Sequence, residues 1–83
     1  MVHILTWEAD PGHAWLQVGW SLIEELGWNN VSKYSYHDDE YVYLEEDSDA
    51  PKFLNFLESK GIGVWFEERY NNSPSFVRNL TRW

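Results

Sequence analysis

The chain has no cysteine, so no disulfide staples it and no thiolate is present to hold a metal. Cations are scarce: six Lys and Arg stand against fourteen Asp and Glu, a formal net charge of -8 in 83 residues. Phosphate affinity comes from neutralising cations, so direct binding of DNA or RNA is disfavoured. No apolar run approaches the roughly 18 residues that a membrane span needs. Met1-Val2-His3-Ile4-Leu5 has neither the basic stretch nor the long apolar core of an export signal, and the expectation is a soluble cytoplasmic protein. With three Pro and five Gly there is little material for a linker, and the length suits one domain over residues 1–83.

What the chain does have is aromatic rings: six Trp, five Tyr and four Phe. A domain of this size buries only about 60 to 65% of the surface its unfolded chain exposes. Some of these rings are therefore expected to face a ligand or a partner. Charge is also segregated. Residues 1–68 hold every carboxylate and only Lys33, Lys52 and Lys60, whereas residues 69–83 hold Arg69, Arg78 and Arg82 and no acid. A small anion near the tail is permitted, and so is a basic protein against the acidic part.

Hydrophobic patterning gives an α+β chain. Val2 to Trp7 and His13 to Val18 read as strands around the turn Asp10-Pro11-Gly12. Ser21 and Glu24 have capping-box spacing, Leu22, Ile23 and Leu26 supply an apolar face, and Gly27 suits a left-handed C-terminal cap. Val31 to His37 and Tyr41 to Glu46 read as a hairpin around Asp38-Asp39-Glu40. If the register allows, Tyr34, Tyr36, Tyr41 and Tyr43 form a platform of rings on one face. A second helix starts at Asp49 as cap, tolerates Pro51 in its first turn, buries Ala50, Phe53, Leu54 and Leu57, and closes at Lys60-Gly61. Val64-Trp65-Phe66 reads as a further strand, and Asn71-Asn72-Ser73-Pro74 as a loop before Phe76 to Leu80. The expected architecture is a mostly antiparallel sheet of four to five strands with two helices on one face.

The segments Pro11-Gly12-His13-Ala14-Trp15-Leu16, Tyr34-Ser35-Tyr36, Tyr43-Leu44-Glu45-Glu46-Asp47 and Ser75-Phe76-Val77-Arg78-Asn79-Leu80 together resemble small uncharacterised proteins of phages and mobile elements. The resemblance runs over most of the chain and carries no assigned active site. It implies a bacterial host and a stoichiometric action on host enzymes or defence systems, hence binding rather than catalysis.

Several residues are candidates on their chemistry. His13 after a Pro-Gly turn, beside Trp15, can donate to a phosphate or carboxylate, or simply bond the backbone of its own turn. Trp15, Tyr34 and Tyr36 can stack on a nucleobase, or serve as core with wet tips. Arg78 and Arg82 offer guanidinium forks to an anion, or pair with the chain's own carboxylates. Asp38, Asp39, Glu40, Glu45, Glu46, Asp47 and Asp49 form an acidic stretch that can imitate nucleic-acid phosphates, or be solvated turns and a helix start. No EF-hand spacing supports a metal, and no nucleophile and base stand at a telling spacing. The leading expectation is a non-catalytic, cofactor-free homo-oligomer that sequesters a small anionic aromatic ligand such as a nucleotide signal through His13, Trp15, Tyr34, Tyr36, Arg78 and Arg82. The alternative is an inhibitor that fills the basic groove of a nucleic-acid-binding host enzyme, such as a CRISPR or restriction effector, with Asp38, Asp39, Glu40, Glu45, Glu46 and Asp47.

Overall fold

A computed structural model describes residues 2–83. Val2–Ala9 (β1) and Ala14–Gly19 (β2) form the expected hairpin, with Thr6 opposite Gln17 and Ala9 opposite Ala14. Trp20–Leu26 is a short helix (α1), followed by β3 (Tyr36–His37) and β4 (Tyr41–Glu45), then α2 (Asp49–Ser59), β5 (Gly63–Tyr70), a 3₁₀ turn at Phe76–Asn79 and β6 (Thr81–Arg82). The sheet order is β5-β1-β2-β4-β3-β6. Every pairing is antiparallel except β1 with β5, which run parallel because α2 carries the chain across the sheet between β4 and β5. Six strands stand where four or five were expected, the extra one being the two-residue β6 that closes the edge beside β3.

Because strand side chains alternate between faces, one sheet face collects Leu5, Leu16, Val18, Val42 and Leu44. The helices cover it with Ile23 from α1 and Ala50, Phe53 and Leu57 from α2, while Trp28 sets its ring 5.0 Å from Phe53. Burying each large aliphatic or aromatic side chain here is worth about 1.5–3 kcal/mol. Gly27 closes α1 in the left-handed conformation, at φ 69, where its backbone N–H bonds the last helical carbonyls. The capping box does not form: Gly19 is the N-cap, Ser21 lies inside the first turn, and the Trp20 N–H donates to the Glu40 carbonyl instead.

Three further expectations are corrected. Residues 31–35 are not strand, because Asp49 pulls them inward. Ser32 donates to its carboxylate through N–H (2.8 Å) and Oγ (2.9 Å), and the buried Ser35 hydroxyl donates to the same oxygen. Asp49 is thus the first residue of α2 rather than its cap, a position taken by Ser48. Nor do the tyrosines form an open platform. Tyr36 pairs with Tyr43, but Tyr43 is buried with Trp15 under Val77 of the 3₁₀ turn, flanked by Tyr41 and Leu80. The segment after β5 therefore straps the second sheet face and makes a small second core there. Among the described residues no helix is long and apolar enough to cross a membrane.

Candidate functional site

The strap is fixed to the first hairpin by one carboxylate. Asp10 has a side chain only 1% exposed, and its Oδ1 accepts the N–H groups of Gly12 and His13, both at 2.9 Å. Its Oδ2 accepts the Ser75 N–H at 2.8 Å and Arg78 Nε at 2.7 Å, and Arg78 Nη2 returns to Oδ1 at 2.9 Å. Arg78 and the three backbone donors hold the Asp10 carboxyl far below the usual carboxylate range against the opposing effect of burial, and Asp10 raises Arg78 in turn. A Cβ at position 12 would lie 2.9 Å from Arg78 Nη2, so glycine there leaves the guanidinium room to keep its bond to Asp10.

Above this clamp lies a cavity of about 360 Å³ lined by His13, Trp15, Tyr34, Tyr36, Arg78 and Arg82, closed on the other side by Glu45, Asp47 and Ser48. All six residues expected to bind a ligand thus meet in one concavity, although they come from three distant stretches of chain. The rings of Trp15 and Tyr36 meet edge to face at 6.1 Å. Each carries a guanidinium: Arg78 Cζ is 5.2 Å from the Trp15 ring and Arg82 Cζ is 5.5 Å from the Tyr36 ring. His13 stands 5.8 Å from Trp15, and the more exposed Tyr34 forms the rim. The buried Trp15 Nε1–H has no hydrogen-bond partner among the described residues.

The two arginines differ in what they have left to offer. Arg78 is neutralised by Asp10 behind it, whereas Arg82 has no ion-pair partner among the described residues. The opposite wall is acidic but braced: Glu45 Oε1 accepts the Asp47 N–H (3.0 Å) and the Ser48 hydroxyl (3.1 Å). Its Oε2 lies 4.0 Å from His13 Nδ1. Glu46 accepts the Ala14 N–H at 3.2 Å, and one ligand atom each from His13, Glu45 and Glu46 falls within 4.8 Å of the others, so these are the residues that could hold a divalent cation after a small contraction. The site therefore has a ring-lined floor, a cationic corner at Arg82 and a carboxylate wall that suits hydroxyl or amino donors.

Much of the acidic stretch is consumed by its own fold. Asp38 accepts the N–H groups of Glu40 (2.8 Å) and Tyr41 (2.7 Å), Glu45 and Glu46 brace the cavity wall, and Asp49 is buried. Only Asp39, Glu40 and Asp47 are fully exposed to a partner. Sequence reasoning missed Asp10 as the residue that organises the site. Its Asp-Pro-Gly context signals a turn, and nothing local signals that the same carboxylate reaches Arg78. No protein family, curated protein or solved structure matches the chain.

Proposed function

We propose that the protein binds and sequesters a small anionic aromatic molecule, of which a nucleotide signal is the type, without turning it over. The observation that carries this reading is the pair of guanidinium-capped rings, Trp15 under Arg78 and Tyr36 under Arg82, in a single cavity. Trp15 is buried beneath Arg78, so the rings a planar base can reach are Tyr36 and the exposed Tyr34 at the rim, and stacking there gains about 1–3 kcal/mol. The phosphate belongs at Arg82, the one arginine there with its charge unspent, and ribose or base donors belong at Glu45 and Asp47. A volume near the lower end of the roughly 300–1,000 Å³ of small-molecule sites accommodates one nucleotide unit rather than a strand. The serine hydroxyls near the cavity act as structural donors, Ser48 to Glu45 and Ser35 to Asp49, which favours capture over chemistry at those two groups. In a phage-infected bacterial cytoplasm, capture of a defence signal at one molecule per site would suffice as counter-defence.

The test is native mass spectrometry of the protein purified from cells with an active nucleotide-signalling defence. A retained nucleotide-sized mass that is lost in Arg82→Glu supports the reading. A clean apo mass, with co-purification of a nucleic-acid enzyme that is lost when Asp39, Glu40 and Asp47 are neutralised, would replace it with groove mimicry.

A further inference from the structure

The two edges of the sheet are built differently. At the cavity end β6 is two residues long, which leaves little backbone open to pairing. At the other end β5 runs eight residues, Gly63–Tyr70, and pairs on one side only. It contains neither proline nor lysine, the usual protections of an open edge. Its side chains are unusually apolar for so exposed a strand: Trp65 is 70% exposed, Tyr70 57% and Phe66 46%. Beside it, where α2 ends, Leu54, Leu57, Ile62, Val64 and Phe66 line a shallow apolar groove of about 480 Å³.

We infer that β5 is the interface of a two-fold dimer, in which the β5 strands of two copies pair antiparallel and join their sheets edge to edge. A second copy is the occupant because the strand is complementary to itself. A two-fold axis at Glu68 sets Glu67 opposite Arg69 of the second copy, and the symmetry makes that ion pair twice. Arg69 has donors to spare: Nη1 stands 3.2 Å from the buried Glu8, yet 65% of the side chain is open. On the helix-covered face the same register sets Phe66 opposite Tyr70 of the second copy, which places that exposed ring at the mouth of the Leu54–Ile62 groove. The one unfavourable pair is Glu68 against itself. The ligand cavity lies at the opposite edge of the sheet, so dimerisation leaves both cavities open and does not depend on what they bind.

Sedimentation equilibrium of the full chain tests this, with circular dichroism to check folding. The wild type is expected to be dimeric at micromolar concentrations, and Glu67→Arg, which turns both ion pairs into like-charge pairs, to raise the dissociation constant at least about tenfold. A chain carrying Arg69→Glu with Glu8→Gln, so that no buried carboxylate is left alone, should likewise be monomeric. Mixing the two monomeric variants should restore a heterodimer, because each then meets the opposite charge. Tyr70→Glu, at a position exposed in the isolated chain, should also weaken the dimer. A wild type that stays monomeric up to about 100 µM overturns the inference. So does a dimer whose constant ignores Glu67→Arg and Tyr70→Glu, or a failure of the folded charge-swapped pair to associate.

Discussion

Replacing Asp10 by Asn keeps the shape of the clamp and removes its charge, which isolates the electrostatic part of the structure. The wild-type carboxylate accepts five hydrogen bonds, three at Oδ1 and two at Oδ2. An amide has one acceptor oxygen, so its NH₂ must face N–H donors whichever way it turns, and in the better orientation it opposes Ser75 N–H and Arg78 Nε. Bonds to a charged group are worth about 1.5–3 kcal/mol each, and the Ser75 donor is buried and cannot regain water. Arg78, with 37% of its side chain exposed, can partly resolvate, which lowers the total. The expected cost is about 3–4 kcal/mol. For a domain of this size that corresponds to a fall in Tm of roughly 12–30 °C. Urea unfolding followed by tryptophan fluorescence reads it directly. A loss below about 1 kcal/mol would refute the clamp as an organising element. A pH series adds an independent check. The folded Asp10 carboxyl is held below its unfolded value of about 3.9, so its stabilisation is complete above that pH and is lost as pH falls beneath it. Wild type should therefore weaken more steeply below about pH 4 than Asp10→Asn does.

Three further outcomes follow from named contacts. Gly12→Ala pushes Arg78 Nη2 off Asp10 and should cost about 1–2 kcal/mol in the same unfolding assay, less than Asp10→Asn because only one bond is broken. Ser35→Ala removes a hydroxyl that donates to Asp49 and accepts the Glu45 N–H at 3.0 Å, and should cost about 1–2 kcal/mol, because the part-buried Glu45 N–H loses its acceptor while Asp49 keeps its two bonds from Ser32. Arg82→Glu, on an exposed two-residue strand, should change stability by less than about 0.5 kcal/mol while lowering affinity for a nucleotide in the cavity more than about tenfold by calorimetry. An equal loss in both measurements would show that Arg82 supports the fold instead.

The parts of the structure legible in the sequence are those decided by near neighbours. The turn at Asp10-Pro11-Gly12, the left-handed cap at Gly27 and the apolar stripe Ala50-Phe53-Leu57 are all local patterns, and each lies where it was read. The misread segments are those decided from afar. Residues 31–35 alternate like a strand, but Asp49, 17 residues from Ser32, offers their hydroxyls and an N–H a buried acceptor that a strand edge cannot match. β5 extends beyond Val64-Trp65-Phe66 through Glu67, Glu68 and Arg69 because it is zipped to β1 over its whole length, and a parallel pairing leaves no trace in the local sequence. The site shows the same division. Residue chemistry nominated the six that line the cavity, yet it offered Arg78 as an anion handle when most of its fork is committed to Asp10. A substitution at Arg78 therefore reports on folding, and only Arg82 separates binding from stability.

The clamp between Asp10 and Arg78 joins residues 68 positions apart, and Val77 seals Trp15 and Tyr43 from a distant part of the chain rather than from neighbouring sequence. The cavity consequently has no precursor in any fragment of the chain. Sheet and helices can assemble first, but the pocket comes into being only when residues 75–82 dock, at a high cost in loop closure and with little local structure to guide them. Docking of this strap is then the step most open to fraying, and any molecule that fills the cavity holds it down. Occupancy and the last stage of folding become one equilibrium, so that protection of the strap amides from hydrogen exchange reads how full the cavity is.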